Sequence, residues 1–408
     1  MGGSMNKGKR GTIGILTGGG DVPGLNPAIR AVTLRALHAG FNVIGIRHGW
    51  GGLVELQRED GFDNSDCWME LTEELVNRHV HVGGTLLHSS RTRPSAVPPK
   101  NVPEHLRDMY LSEKNDLTPE VLANLEYLDI DYLVPMGGDD TLSYAVELGR
   151  HGFPVVALPK TMDNDVPGTE YCMGFSTCVT RTIELAHQIR SSAASHERIV
   201  VLEVFGRYAG FTALLPTIAG AANRCVIPEW KFDLSRLARL LVADRRDNPE
   251  KFAVCLVSEG AMPEGGEMVF QGAETDQYGH AKLGGIGNRV SARIKELAPA
   301  HDAKSRIEMI HMNLGYFVRS GPPDALDSIV PTVYGNLAVD LLLRGETGRM
   351  VALNGGCYGS VPIDTVVDHK KVVDVEKFYD TERYTPKYGA FELQPMHLFN
   401  GLGPRTAG

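Results

Sequence analysis

The residues best suited to chemistry lie in Pro159-Lys160-Thr161-Met162-Asp163-Asn164-Asp165, directly after the apolar run Pro154 to Leu158. A lysine, a threonine and two carboxylates at the end of a short hydrophobic strand stand where parallel-sheet enzymes place their catalytic groups. A second junction of this kind precedes it, where Tyr132-Leu133-Val134-Pro135-Met136 runs into Gly137-Gly138-Asp139-Asp140-Thr141. In a third, Thr12 to Leu16 leads into Thr17-Gly18-Gly19-Gly20-Asp21 and then a helix. Backbone N–H groups freed by a glycine turn suit phosphate, although glycines between a strand and a helix also make an ordinary tight turn. Arg91, Arg207, Glu259, Tyr316 and Arg319 fall at or near further strand ends.

Glycine turns and arginines attract anions. Asp139 suits a hard cation such as Mg²⁺, which takes a few carboxylates and keeps phosphate oxygens and water as its other ligands. This is the inventory of phosphoryl transfer, where catalysis rests on positioning and neutralisation of charge. Asp163 is the candidate general base, because an alcohol attacking phosphorus must lose its proton and a loop carboxylate can accept it. The plainer alternative is an Asx cap for the turn before Val166-Pro167-Gly168, a role that Asp165 fits better. A cap needs neither the cation of Lys160 nor the hydroxyl of Thr161 beside it. Asp139 and Asp140 would repel each other without a nearby cation, and Arg91 reads equally as an anion ligand or a solvated loop residue. No His-Glu-x-x-His or Gly-x-Ser-x-Gly pattern is present, so zinc-hydrolase and serine-nucleophile chemistry are disfavoured.

The elements that position these groups alternate. Apolar runs at Thr12 to Leu16, Asn42 to Ile46, Tyr132 to Met136, Pro154 to Leu158, Ile199 to Val204, Phe252 to Val257 and Met350 to Leu353 read as strands. Helical spacing covers about Pro27 to His38, Leu117 to Leu128, Ser176 to Ser192, Tyr208 to Ile218, Leu234 to Val242, Ile286 to Leu297 and Asp324 to Leu343. Gly49 to Leu53 reads as a turn, Glu59 to about Leu125 as polar and proline-interrupted, and the last ~40 residues as having no convincing period. The result is an α/β chain with parallel sheets and its site beyond the strands' carboxyl ends. At 408 residues, two domains are expected.

The formal charge of -9 argues against nucleic acid or an anionic membrane as partner. No run of about 18 apolar residues stands out as a membrane span. The six dispersed cysteines read as reduced core residues, which implies a cytoplasmic location. Met1 to Ser4 reads as an appended start before a natural one at Met5.

The motifs Thr-Gly-Gly-Gly-Asp-x-Pro-Gly-x-Asn, Gly-Gly-Asp-Asp, Pro-Lys-Thr-Met-Asp-Asn-Asp, Phe-Gly-Arg and Leu-Gly-Tyr-x-x-Arg occur in this order. Together they resemble the 6-phosphofructokinase family over about residues 12–355. The resemblance implies two doubly wound parallel-sheet α/β domains with the active site in the cleft between them. One would comprise 1–174 plus about 312–366 and bind the donor; the other would comprise 175–311 plus about 367–408 and bind the sugar phosphate. Asp163 matches the proton acceptor for the sugar 1-hydroxyl, and Asp139 the residue associated with Mg²⁺. Gly20, Arg91 and Gly138 match the donor side. Thr161, Met162, Phe205, Gly206, Arg207, Glu259, Tyr316 and Arg319 match positions that hold fructose 6-phosphate or the transferring group. Arg198 matches an arginine that reaches a neighbouring subunit's site, which implies a homodimer or homotetramer.

Donor choice is where the chain departs from part of the family. ATP-using relatives typically carry glycine at the position of Asp140, and many carry glycine at that of Lys160; diphosphate-using relatives look like this chain. A carboxylate at 140 fills space and repels charge where a nucleotide's inner phosphate must lie, while Lys160 supplies a cation to a small donor. The expectation is diphosphate as donor and fructose 6-phosphate as acceptor. Sedoheptulose 7-phosphate, ATP, or an idle phosphate-binding protein are the alternatives.

Overall fold

The computed structural model describes residues 10–275, 281–303, 306–368, 370–389, 391–394 and 396; Met1 to Ser4 lie outside this range. Two mainly parallel sheets organise the chain. The larger contains β1 (Thr12–Thr17), β2 (Asn42–Ile46), β3 (Trp68–Glu70), β4 (Tyr132–Gly137), β5 (Val156–Pro159), β12 (Arg349–Asn354) and β13 (Cys357–Pro362) in the order β13-β12-β5-β4-β1-β2-β3. The smaller runs β11 (Met309–Asn313), β6 (Ile199–Val204), β8 (Ala253–Ser258), β7 (Arg224–Val226). β9 (Phe270–Thr275) and β10 (Ala281–Leu283) form an antiparallel ribbon.

β1, β6 and β8 are buried along their whole length. Strands covered on both faces need continuous apolar runs, which is why the sequence spells them as Thr-Ile-Gly-Ile-Leu-Thr and Ile-Val-Val-Leu-Glu-Val. β1 pairs parallel with both β2 and β4, and β4 with β5, so the three glycine- or aspartate-ended loops emerge at one edge. The doubly wound α/β class read from the sequence is the one observed. β11 belongs to the second sheet through Asn313, just past the boundary expected near 312.

Two local readings change. Gly49 to Leu53 is the cap and first turns of a helix, Trp50–Glu55. Gly51 and Gly52 are not turn glycines: a Cβ on Gly52 would meet Cys67 O at 2.7 Å, so glycine serves close packing there. The helix expected from Tyr208 starts at Phe211. The helix Ala325–Leu343 is, by length and composition, apolar enough to cross a membrane, but 50% of its most apolar stretch is buried in the fold, and it packs on the helix Leu25–His38.

The tail is the largest departure. It carries short helices and the pair β14 (Tyr379–Asp380) and β15 (Thr385–Pro386), and Val373, Phe378, Tyr379 and Tyr384 all enter the core. Tyr379 Oη donates to Cys225 O (2.7 Å), and Cys225 N donates to Tyr384 O (2.9 Å), which fixes the tail beside β7. Of the cysteines, Cys357 is exposed and the other five are buried.

Candidate active site

Between the two sheets lies a cleft of about 520 Å³, within the size range of small-molecule sites. The larger sheet supplies its floor through the three loops after β1, β4 and β5.

The loop after β5 is held rigidly. Lys160 N donates to Gly137 O (2.9 Å) and Thr161 N to Met173 O (3.2 Å), so the chain leaves the sheet edge and returns to it. At the turn Asn164 takes a left-handed φ of 56° and is fully buried, a conformation that asparagine tolerates better than most residues. Its Nδ2 donates to Glu170 O (3.1 Å), and its Oδ1 accepts from Cys172 N (2.8 Å) and Lys371 Nζ (3.1 Å). This clamp points Asp163 toward the other sheet, where its Oδ2 accepts from Arg207 N (3.2 Å). Asp163 Oδ1 is buried with no protein partner, a vacancy suited to a substrate hydroxyl. Burial pushes its carboxyl well above the ordinary range, Asp165 and Glu259 add to the rise, and Arg207 opposes it.

Asp139 and Asp140 open the helix Asp139–Arg150, with Gly138 at the cap. Two carboxylates in a first helical turn are favoured by the free N–H groups and dipole there, although Asp140 still adds to the upward push on the Asp139 carboxyl. Asp140 is exposed at the cleft, whereas Asp139 Oδ1 is buried without a partner. Burial raises the Asp139 carboxyl to about 7, with Asp165 contributing. An orphaned carboxylate oxygen facing a second buried carboxylate fits a divalent cation that draws its remaining ligands from phosphate and water. Among the described residues no cluster of three or more His, Cys, Asp or Glu forms an all-protein metal cage.

The glycine turn after β1 faces both loops. Gly18 N donates to Met136 O (2.9 Å) and Gly19 N to Ser90 O (2.8 Å), which ties the turn to β4 and to the segment carrying Arg91. Lys160, only 3% exposed, reaches across to donate from Nζ to Gly20 O (2.6 Å). Burial lowers its pKa to about 7, helped by Arg319. Arg319 donates from Nη2 to Asp21 Oδ1 (2.7 Å) and from Nε to Asp21 O (3.1 Å). Its guanidinium also lies over the Phe205 ring, 5.8 Å from the centroid. A Cβ at Gly20 would come within 2.6 Å of Arg319 Nη2, so the bare backbone is what lets these groups converge.

Of the residues singled out in the sequence, Gly20, Arg91, Gly138, Asp139, Asp140, Lys160, Thr161, Met162, Asp163, Phe205, Arg207, Glu259 and Arg319 all line the cleft. Burial raises Glu259 to about 7 against the pull of Arg207. Gly206 is buried behind the cleft, in a turn with φ 122°. Tyr316 is 76% exposed and touches the site through Arg319, 5.4 Å from its ring centroid. Arg198 lies just before β6, at the end of that strand opposite the cleft, with its Nε buried and unpartnered.

The sequence reading passed over Tyr208 and Lys370, which also line the cleft, and Lys371, which lies under it. It also gave Asp165 a capping role, whereas Asp165 lines the cleft and burial raises its pKa. The Asp-x-Asp spacing was the available signal for Asp165. Nothing in the tail's composition marks the lysines.

A family model described as phosphofructokinase matches residues 12–342. The chain is 36% identical over 371 residues to an ATP-dependent 6-phosphofructokinase 3 of Streptomyces coelicolor, covering 91% of this chain and 98% of that one. It is 34% identical over 376 residues to a pyrophosphate--fructose 6-phosphate 1-phosphotransferase of Dictyoglomus thermophilum, covering 90% and 96%. Among solved structures, a pyrophosphate-dependent phosphofructokinase from Nitrosospira multiformis superposes with a TM-score of 0.72 at 16% identity, over 92% of this chain and 89% of that one, a likeness of fold.

Proposed function

The chain belongs to the phosphofructokinase family, and we propose that it transfers a phosphoryl group reversibly from diphosphate to the 1-hydroxyl of fructose 6-phosphate. Asp163 takes the hydroxyl proton, the C1 oxygen attacks the terminal phosphorus of diphosphate, the bond to the bridging oxygen breaks, and phosphate departs. The unpartnered Oδ1 of Asp163 supports this role. Lys160 and Arg207 neutralise charge, Thr161 helps position the reacting group, and Glu259 and Arg319 face the sugar phosphate. Asp139 would hold Mg²⁺, which neutralises charge on the donor. The larger sheet with its loops forms the donor side, and the smaller sheet the sugar side. We place the enzyme in the cytoplasm as a homodimer or homotetramer, with Arg198 serving the partner's site.

The observation that carries the donor assignment is that Asp140 and Lys160 line the same cleft. Lys160 is buried with its ammonium fixed at Gly20 O, so it presents charge to a compact anion. Asp140 is exposed and lines the same cleft. ATP as donor is a second reading, favoured by a smaller cavity of about 170 Å³ that shares Arg91 with the cleft. Asp140→Gly separates the two: it should raise kcat/KM with ATP at least tenfold while lowering that with diphosphate. A variant as poor with ATP as the parent would remove Asp140 from the explanation.

A further inference from the structure

The segment after residue 369 is held beside the cleft by contacts to loop residues outside both sheets. Lys371 N donates to Asp165 O (3.3 Å), and the buried Lys371 Nζ donates to Asn164 Oδ1 (3.1 Å) and Thr169 O (2.8 Å). Two residues on, Val373 N donates to Glu229 Oε1 (2.7 Å). These anchors fix the backbone on either side of the Lys371 side chain, and they leave the neighbouring Lys370 exposed and lining the cleft.

The Lys370 ammonium rests 3.4 Å from the centroid of the Tyr208 ring. Among the described residues it makes no ion pair. Two other cleft cations are committed: Lys160 to Gly20 O, and Arg319 to Asp21. Meanwhile Asp139, Asp140, Asp163, Asp165 and Glu259 crowd one cleft, and such a wall repels a polyanion unless extra positive charge meets it. A cation resting on an exposed ring is held more weakly than one in a charge-assisted hydrogen bond to phosphate. The charge of Lys370 is also felt at Asp139 and Asp165, whose carboxyl pKa values it draws down.

We propose that Lys370 is a donor-binding residue delivered by the tail: its ammonium leaves the Tyr208 ring and pairs with phosphate oxygens of the entering diphosphate. The strap through Lys371 and Val373 sets where that ammonium stands. This inference rests on the proposed phosphotransferase reading, but it can fail separately from the choice of donor.

The test compares the parent with Lys370→Ala, Lys370→Arg and Lys377→Ala. Lys377 is a tail lysine held over the Phe378 ring, 5.3 Å from its centroid, and it does not line the cleft, so it serves as the control. Lys370→Ala should raise the KM for diphosphate about tenfold, leave the KM for fructose 6-phosphate within twofold, and weaken binding of the inert analogue methylenediphosphonate about tenfold in calorimetry. Lys370→Arg should recover most of this loss, and Lys377→Ala should match the parent. A diphosphate KM and analogue affinity within twofold of the parent in Lys370→Ala would overturn the proposal, as would equal losses for both substrates. If the parent uses ATP and not diphosphate, the donor reading fails; the same variants measured against MgATP then decide the role of Lys370.

Discussion

In the proposed reaction the proton passes to Asp163, a carboxylate whose environment is set by its neighbours. Burial, Asp165 and Glu259 all favour its protonated form, and only Arg207 resists. A raised pKa means the proton is held to higher pH, and a base works only after losing it. The acid limb of kcat/KM should therefore lie well above the ~3.9 of an ordinary aspartate, with the rate climbing as pH rises through it. Asp163→Asn should lower kcat by about 10²–10⁴-fold and abolish that limb; an acid limb at the ordinary aspartate value would contradict the role. Much of this was legible beforehand, because Lys160, Thr161 and Asp163 follow a short apolar run and the end of a buried strand is where polar side chains can face a cleft. Tyr208 and Lys370 were not legible. Tyr208 follows Arg207 in what reads as the start of a helix, and Lys370 reaches the site only because the tail packs back on it.

Among the elements, the helix Ala325–Leu343 is the tie that fixes the entry of the helix Phe175–Ser195. Asp327 is fully buried, and it accepts from Tyr171 Oη, Gly174 N, Thr177 N and Thr177 Oγ1 at 2.6–2.8 Å. Burial still pushes its carboxyl up to about 6, against the opposing pull of these hydrogen bonds. Asp327→Ala would strand these donors in the core, and a buried donor left unpaired costs about 1–3 kcal/mol. Urea denaturation should show a midpoint lowered accordingly; a change below ~1 kcal/mol would mean that water or a rearranged side chain replaces the carboxylate. The sequence shows this helix by its apolar spacing, but nothing near Asp327 in sequence marks it. Its weight comes from partners some 150 positions away. The helix Trp50–Glu55 was hidden for the opposite reason, since glycines chosen for tight packing against Cys67 resemble a turn.

At the scale of the molecule, the cleft exists because two sheets present their loop-bearing edges to each other and the tail crosses between them. The alternation of apolar runs with helical spacing made both sheets legible. The tail was opaque because Val373, Phe378, Tyr379 and Tyr384 are spaced for a groove beside β7 and not for a helix or strand of their own. Three parts of the chain meet at the donor side: the Gly18–Gly20 turn, the Asp139–Asp140 helix start and the Lys160 loop. A buried ammonium and an exposed carboxylate lining one cleft are what the proposed choice of diphosphate rests on. The most direct test is the ratio of kcat/KM for diphosphate to that for ATP, measured on the full-length protein with saturating fructose 6-phosphate and Mg²⁺. The ratio should exceed about 100, the order expected when a nucleotide must displace a carboxylate at the position of its inner phosphate. A ratio of one or below would contradict it.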